Sequence, residues 1–269
     1  MMRYLPHATG VLQKYWNRPL IWPALARLTV EFCHHRLRPS AKRELLDRKA
    51  KDREQARDWC QQHTISRDEI GRALDLELTI EDPEQLFPDV FAGAHSRVQN
   101  SPVSLGGAGN LELLYSLTKS LQAKECIETG VAFGWSSLAI LLAIHHQPDA
   151  KLSSIDLPYI ELRNDDFVGL AVPEELKRNW SLYRMADREG IPLILRKTSE
   201  IDLAHYDSDK TYQGRMFSYS RLWDALRPGG LLISDDISDN LAFADFAKSV
   251  DRFPVVVKDG NKFQGVVRK

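Results

Sequence analysis

From about Gly106 to the C-terminus, short apolar runs alternate with stretches of helical periodicity, and nothing else in the chain narrows its folds as much. Such alternation is the signature of βαβ units on a parallel sheet. Leu111–Leu121 reads as an amphipathic helix, Glu125–Glu128 as a short buried strand, Gly134–His145 as a helix and Leu152–Asp156 as a second strand. A long polar stretch, Leu157–Val172, precedes a helix from Pro173. Further on come a strand at Ile201–Asp207, a helix at Thr211–Leu226 and a turn at Arg227-Pro228-Gly229-Gly230. A strand at Leu231–Asp235 and a helix at Leu241–Val250 follow. Phe253–Lys258 and Lys262–Arg268 flank Asp259-Gly260-Asn261, a hairpin signal.

The third strand needs an argument from length. Leu193-Ile194-Leu195 is apolar and short, but the strand at Ile201 begins only five residues after Arg196. In a doubly wound sheet of order 3-2-1-4-5, two strands separate the third from the fourth. With strands about 4.8 Å apart, the crossing is about 14 Å plus the return along a strand. A parallel crossover takes about a dozen residues or more. The third strand is therefore placed earlier, at Trp180–Arg184. Arg188–Ser199 becomes the crossover helix, with Pro192 near its first turn, where proline is tolerated.

Composition adds exclusions. With 43% hydrophobic and 27% charged residues, the chain is ordinary globular protein, not disordered, collagenous or coiled-coil. Cys33, Cys60 and Cys126 are too few and too scattered for a disulfide framework or a thiolate metal site. The longest apolar run, Leu138–Ile144, is far short of a membrane span, and no secretory core follows Met1. A cytoplasmic, soluble protein is expected. The net charge of -1 hides a split: residues 1–60 carry 13 Lys/Arg against 6 Asp/Glu, and residues 61–150 carry 5 against 12. Residues 1–100 read as a helical extension, with a highly charged helix at Lys42–Gln62 whose apolar stripe is narrow. The basic segment, which includes Tyr15, Trp16, Trp22 and Trp59, suggests docking on the acidic one, within the chain or in a homodimer. Peripheral membrane contact ranks second, and nucleic acid is the least favoured partner.

The densest chemical signal is Glu128-Thr129-Gly130-Val131-Ala132-Phe133-Gly134-Trp135-Ser136, which runs strand, glycine turn, helix N-terminus. Gly130 permits a tight turn and close approach to a ligand; Gly134 permits close packing at the helix start. Asp156 ends the next strand and can accept hydrogen bonds from both hydroxyls of a ribose. Three readings compete: a turn with no ligand, a nicotinamide dinucleotide, and S-adenosylmethionine. The dinucleotide fingerprint is G-x-G-x-x-G, which seats a pyrophosphate. Here only G-x-x-x-G is present, and the carboxylate of Glu128 opposes a pyrophosphate but suits a cationic sulfonium. S-adenosylmethionine is favoured.

With D-S-D-K at 207–210, L-R-P-G-G-L-L-I-S-D-D at 226–236 and the terminal hairpin, the chain from about Ser104 to Lys269 resembles a class I S-adenosylmethionine-dependent methyltransferase. It is most similar to the metal-dependent O-methyltransferases of the caffeoyl-CoA, catechol and macrolide-sugar types. The resemblance implies an α/β fold, a Rossmann-like doubly wound sheet of seven strands in the order 3-2-1-4-5-7-6. A helical extension at 1–100 would precede the domain at 101–269. It also implies that Gly107, Glu128, Gly130, Gly134, Trp135, Ser136, Asp156, Asp187 and Asp207 surround the cofactor, with Asp187 beside the adenine. The stretch Leu157–Pro173 has no counterpart in the family and is expected to shape the acceptor pocket.

Asp207, Asp235 and Asp236 end neighbouring strands, where ligands of open α/β sheets bind. Converging carboxylates raise one another's pKa unless a cation intervenes. Oxygen ligands suit a divalent ion such as Mg²⁺, and the resemblance makes these three aspartates its ligands. It also makes Lys210 the group that takes the acceptor proton, with Asp207 beside it. The expected reaction is methyl transfer to a hydroxyl of a sugar, polyol or phenol. Metal-free transfer to nitrogen and a non-catalytic cofactor-binding scaffold are the alternatives. His34-His35, His145-His146, His205 and Cys126 carry weaker signals; His205 and Cys126 read as packing residues.

Overall fold

The computed structural model describes residues 19, 22, 23, 25–27, 39–157, 165–198 and 200–269. Tyr15, Trp16, Cys33, His34 and His35 lie outside them. Seven strands form one sheet: β1 (Glu125–Thr129), β2 (Lys151–Ile155), β3 (Trp180–Tyr183), β4 (Ile201–Tyr206), β5 (Leu226–Ser234), β6 (Val255–Asp259) and β7 (Lys262–Arg268). Their order is β3-β2-β1-β4-β5-β7-β6, as the resemblance implies. The first five strands are parallel, and β7 runs antiparallel to both β5 and β6.

The crossover argument for β3 holds, since Trp180 pairs with Leu152. The crossover helix, Asp187–Leu195, begins one residue earlier than expected and is shorter. Pro192 sits in its second turn, not near its first, where it removes one helical N–H donor. The fifth strand also differs. It starts at Leu226, so Arg227-Pro228-Gly229-Gly230 is not a turn between elements. Ile201 pairs with Leu226 and Leu203 with Leu231, so residues 227–230 bulge from the ladder. Pro228, which lacks an N–H, and Gly229, at φ +81°, suit such a bulge.

Helices cover both faces. On one lie α2 (Pro88–Gln99), α3 (Leu111–Ser120) and α4 (Trp135–Ile144). Ile70, Leu74, Phe91 and Ala94 share a buried cluster there with Leu113, Leu138 and Ile233. Residues 70–94 are thus part of the same core as the sheet. The other face carries α5 (Asp187–Leu195), α6 (Tyr212–Ala225) and α7 (Ala242–Ser249), packed over Tyr206, Leu232 and Val256.

The charged helix α1 (Pro39–His63) buries Ala56 and Cys60 of its narrow apolar stripe. Trp59 meets Phe243 edge-on at 6.5 Å, Arg53 pairs with Asp239 at 2.8 Å, and Ile65 N–H donates to the Val256 carbonyl. Among the described residues, α1 therefore meets the C-terminal half of the chain through both an apolar contact and an ion pair. Among the described residues, no helix is long and apolar enough to cross a membrane.

Candidate functional site

The turns after β1 and β4 touch. Gly130 has φ +81°, and a Cβ there would overlap the carbonyl of Asp207. Asp207 N–H in turn donates to Thr129 O at 2.7 Å. Glycine at 130 is thus required by the neighbouring chain as well as by any ligand. Gly134, at φ +86°, caps α4, and a Cβ there would lie 2.9 Å from Gly169 Cα. The described end of the long polar stretch lies against this loop: Gly169 N–H donates to Ala132 O and Ala171 N–H to Phe133 O. Arg97 of α2 fastens that stretch by donating to the carbonyls of Leu170 and Ala171 at 2.9 and 2.7 Å.

Asp156 stands at the end of β2 and shapes the same loop. Its Oδ2 accepts from the N–H groups of Val131 and Ala132 at 2.8 and 3.0 Å, and its Oδ1 from Arg184 at 2.5 Å. Asp187, at the start of α5, accepts from Ser208 Oγ at 2.5 Å. Burial pushes its carboxyl up to about 6, although the Ser208 bond works the other way. Gly107 lies in the open, with nothing within 4 Å of where a Cβ would stand. Asn110 caps α3 through its Oδ1, while its buried Nδ2 has no hydrogen-bond partner among the described residues. An open glycine loop, an orphaned amide donor and a half-buried carboxylate beside the β1 turn fit an adenosyl cofactor with an amino-acid end.

Two of the expected cofactor residues, Trp135 and Glu128, have side chains turned into the protein. Trp135 is buried against Phe91 and His95, because the first turn of α4 aims it at α2. Ser136 is half-buried, and the neighbouring hydroxyl, Ser137, is the one that bonds to Glu128. Glu128 itself is fully buried. Its Oε2 accepts from Ser137 at 2.5 Å and from Ser154 at 2.8 Å. His205 Nδ1 lies 3.4 Å from its other oxygen, and His205 Nε2 lies 3.6 Å from Asp235 Oδ2. Gln264 donates to Asp235 Oδ1 at 2.5 Å, and Trp180 Nε1 donates to Ser154. A polar row therefore crosses one face of the sheet, from β3 to β7. His205 is more than packing. Burial opposes its charge, but the carboxylates of Asp235 and Glu128 outweigh that and raise its pKa to about 10. The signal for this row was in the sequence: Ser154, Glu128 and His205 are polar at inward positions of otherwise apolar strands.

Lys210 occupies the centre of the carboxylate cluster. Its ammonium pairs with Asp207 and, at 2.8 Å, with Asp236. Lys262 approaches Asp236 from the other side at 3.4 Å. Burial opposes the charge of Lys210, but the two carboxylates prevail and raise its pKa. That reverses the condition under which a lysine serves as a base. Asp207 is raised, by burial first and then by the charge of Asp235, with Lys210 pulling the other way. Asp236 is held low by Lys210 and Lys262 against the effect of burial. The buried guanidinium of Arg215 holds the turn in place by donating to the carbonyls of Asp235 and Asp236 at 3.2 and 2.9 Å.

The three aspartates do not form one donor set here. The chain leaves the extended conformation after Ser234, and Asp236 has the left-handed φ of +52°. Asp235 faces His205, while Asp236 turns toward Lys210. Among the described residues, no group of three His, Cys, Asp or Glu stands ready to hold a metal ion. The donor set expected for Mg²⁺ does not fit in this arrangement, because an ammonium fills the space between two of its carboxylates.

Residues 127–237 match the family model described as a methyltransferase domain. No curated protein matches the chain. The O-methyltransferase TomG from Streptomyces achromogenes, involved in tomaymycin synthesis and solved with SAM, aligns with a TM-score of 0.52 at 15% identity, over 72% of this chain and 93% of that one. The O-methyltransferase from Bacillus cereus, solved with SAH, aligns with a TM-score of 0.52 at 13% identity, over 78% of this chain and all of that one. At such identities the likeness is one of fold: the seven-stranded sheet with its reversed last strand.

Proposed function

We propose that this chain, which carries a class I methyltransferase domain, moves the methyl group of S-adenosylmethionine to a hydroxyl oxygen of a small molecule. The observation that carries the reading is the contact between Gly130 and Asp207. It sets the cofactor turn and the Asp207–Lys210–Asp236 cluster side by side at the carboxyl ends of β1 and β4, where α/β sheets bind ligands. When bound, S-adenosylmethionine supplies an electrophilic methyl carbon on a sulfonium.

Gly107, Gly130 and Ser136 would line the amino-acid end of that cofactor, with the orphaned Asn110 amide as a donor. Asp187 would accept from the adenine amine. Glu128, Gly134 and Asp156 act from behind, by fixing the loop at 130–134. Methyl transfer needs an oriented oxygen stripped of its proton more than it needs covalent chemistry. Lys210 stays protonated between its carboxylates and holds the acceptor oxygen. Asp207, whose pKa is raised, accepts the proton.

The expected acceptor is a sugar or polyol hydroxyl, or a phenol. A Mg²⁺-assisted form of the reaction is the second reading, favoured by the three aspartates at adjacent strand ends. It requires Lys210 to leave and Asp235 to turn. Titration calorimetry with SAH, followed by transfer of labelled methyl to a panel of polyols, phenols and amines, tests the proposal. One site per chain and label on oxygen are expected. Absence of binding overturns the cofactor, and label on nitrogen alone overturns the acceptor.

A further inference from the structure

We infer that His205 is a positioning residue that holds Asp235 out of the carboxylate cluster, so that Lys210 is the cation at the acceptor edge and a divalent ion is not taken up. The inference refines the acceptor edge of the reading above, but its test does not depend on methyl transfer.

The geometry is specific. Asp235 has two oxygens, and each faces a side chain of the buried row: Oδ1 takes the Gln264 amide at 2.5 Å, and Oδ2 faces His205 at 3.6 Å. His205 is anchored from its other side by Glu128, which Ser137 and Ser154 hold in turn. A hydrogen bond from Gln264 thus ties Asp235 to β7, and charge attraction to the buried His205, whose Nε2 has no hydrogen-bond partner among the described residues, draws it toward β4 and β1. Behind it, Gly109 approaches so closely that a Cβ would stand 3.4 Å from Asp235 Oδ2. Arg215 fixes the Asp235 carbonyl, so the backbone cannot swing to compensate. A cluster of two carboxylates and one ammonium remains, with Lys262 adding a second positive charge. Two carboxylates already neutralised by lysines are poor ligands for a hard dication that prefers several anionic oxygens.

Release of Asp235 should convert the cluster into a divalent-cation site. Mn²⁺ binding, read by electron paramagnetic resonance of the free ion, tests this on the full-length wild type, His205→Asn and Asp235→Asn. The wild type is expected to show no stoichiometric binding at micromolar Mn²⁺. His205→Asn, with Asp235 free to turn, is expected to gain affinity at least tenfold, and the double variant with Asp235→Asn to lose that gain. Tight wild-type binding that Asp235→Asn abolishes overturns the inference, and this arm needs no folded His205 variant. A His205→Asn protein that folds but binds no more Mn²⁺ than the wild type overturns the role of His205. Should His205→Asn not fold, His205→Leu, close to histidine in volume and without a polar group, is read in its place with the same two outcomes.

Discussion

Two groupings at the ends of the central strands share one plan, a cation between two acids, yet they differ in what surrounds them. His205 lies between Glu128 and Asp235, and His205 and Glu128 are sealed within the sheet. Lys210 lies between Asp207 and Asp236, about one-third exposed. In the sealed grouping every charge has been taken from water, so the partners are locked to one another and loss of one strands the rest. In the open grouping water reaches the charges in part and weakens the pairing, so it adds less to stability and leaves the lysine within reach of a substrate. The first grouping serves shape and the second chemistry.

The largest effect should come from the open grouping and fall on rate alone. Lys210→Met is expected to lower turnover by about 10²–10³-fold, the range for loss of one donor that holds a developing oxyanion. Its unfolding free energy from urea titration should stay within about 1 kcal/mol of wild type. The sealed grouping should show the reverse pattern. Glu128→Leu leaves His205 facing an apolar side chain and is expected to cost about 3–5 kcal/mol in urea unfolding. If Lys210→Met proves the more destabilising of the two, the contrast between shape and chemistry fails.

A pH titration sharpens the contrast further. His205 has its pKa raised to about 10 in the folded chain, against an ordinary value of 6.5. Its contribution is full below about 6.5 and is lost as pH rises through about 10. The wild type should therefore lose stability over that window, and His205→Asn should lose less of it. A smaller effect concerns the cofactor. Asp187 has its pKa raised to about 6, so it carries charge only above that pH. Affinity for SAH should fall as pH drops through about 6, by roughly tenfold per unit at most. In Asp187→Asn the same titration should be flat.

The extent to which the sequence disclosed these groupings follows from the kind of information each needs. The β3 position followed from chain length and sheet spacing, which are one-dimensional constraints, and Trp180–Tyr183 stands close to its expected limits. Gly130, Asp207 and Lys210 were legible because local spacing places them at strand ends. The divergence of Asp235 from Asp236 was not, because it depends on the left-handed φ of +52° at Asp236 and on His205 and Gln264, which face Asp235 from distant parts of the sequence. The direction of the Trp135 side chain was not legible for a similar reason: whether a first-turn side chain faces outward or core depends on α2, from a distant part of the sequence. The protonation state of Lys210 depends on which of burial and two carboxylates prevails, and spacing alone carries no sign for that. The bulge at Arg227-Pro228-Gly229-Gly230 hid inside a turn signal, since the same residues serve both.

The most direct test of the account is a crystal structure of the chain with SAH bound and Mn²⁺ soaked in, read from anomalous scattering. The sulfur of SAH is expected to lie beside the Gly130 turn and to face Lys210 and Asp207, with Asp235 still facing His205 and no manganese peak between the aspartates. A cofactor seated elsewhere, or a manganese ion ligated by Asp207, Asp235 and Asp236 with Lys210 displaced, would contradict it.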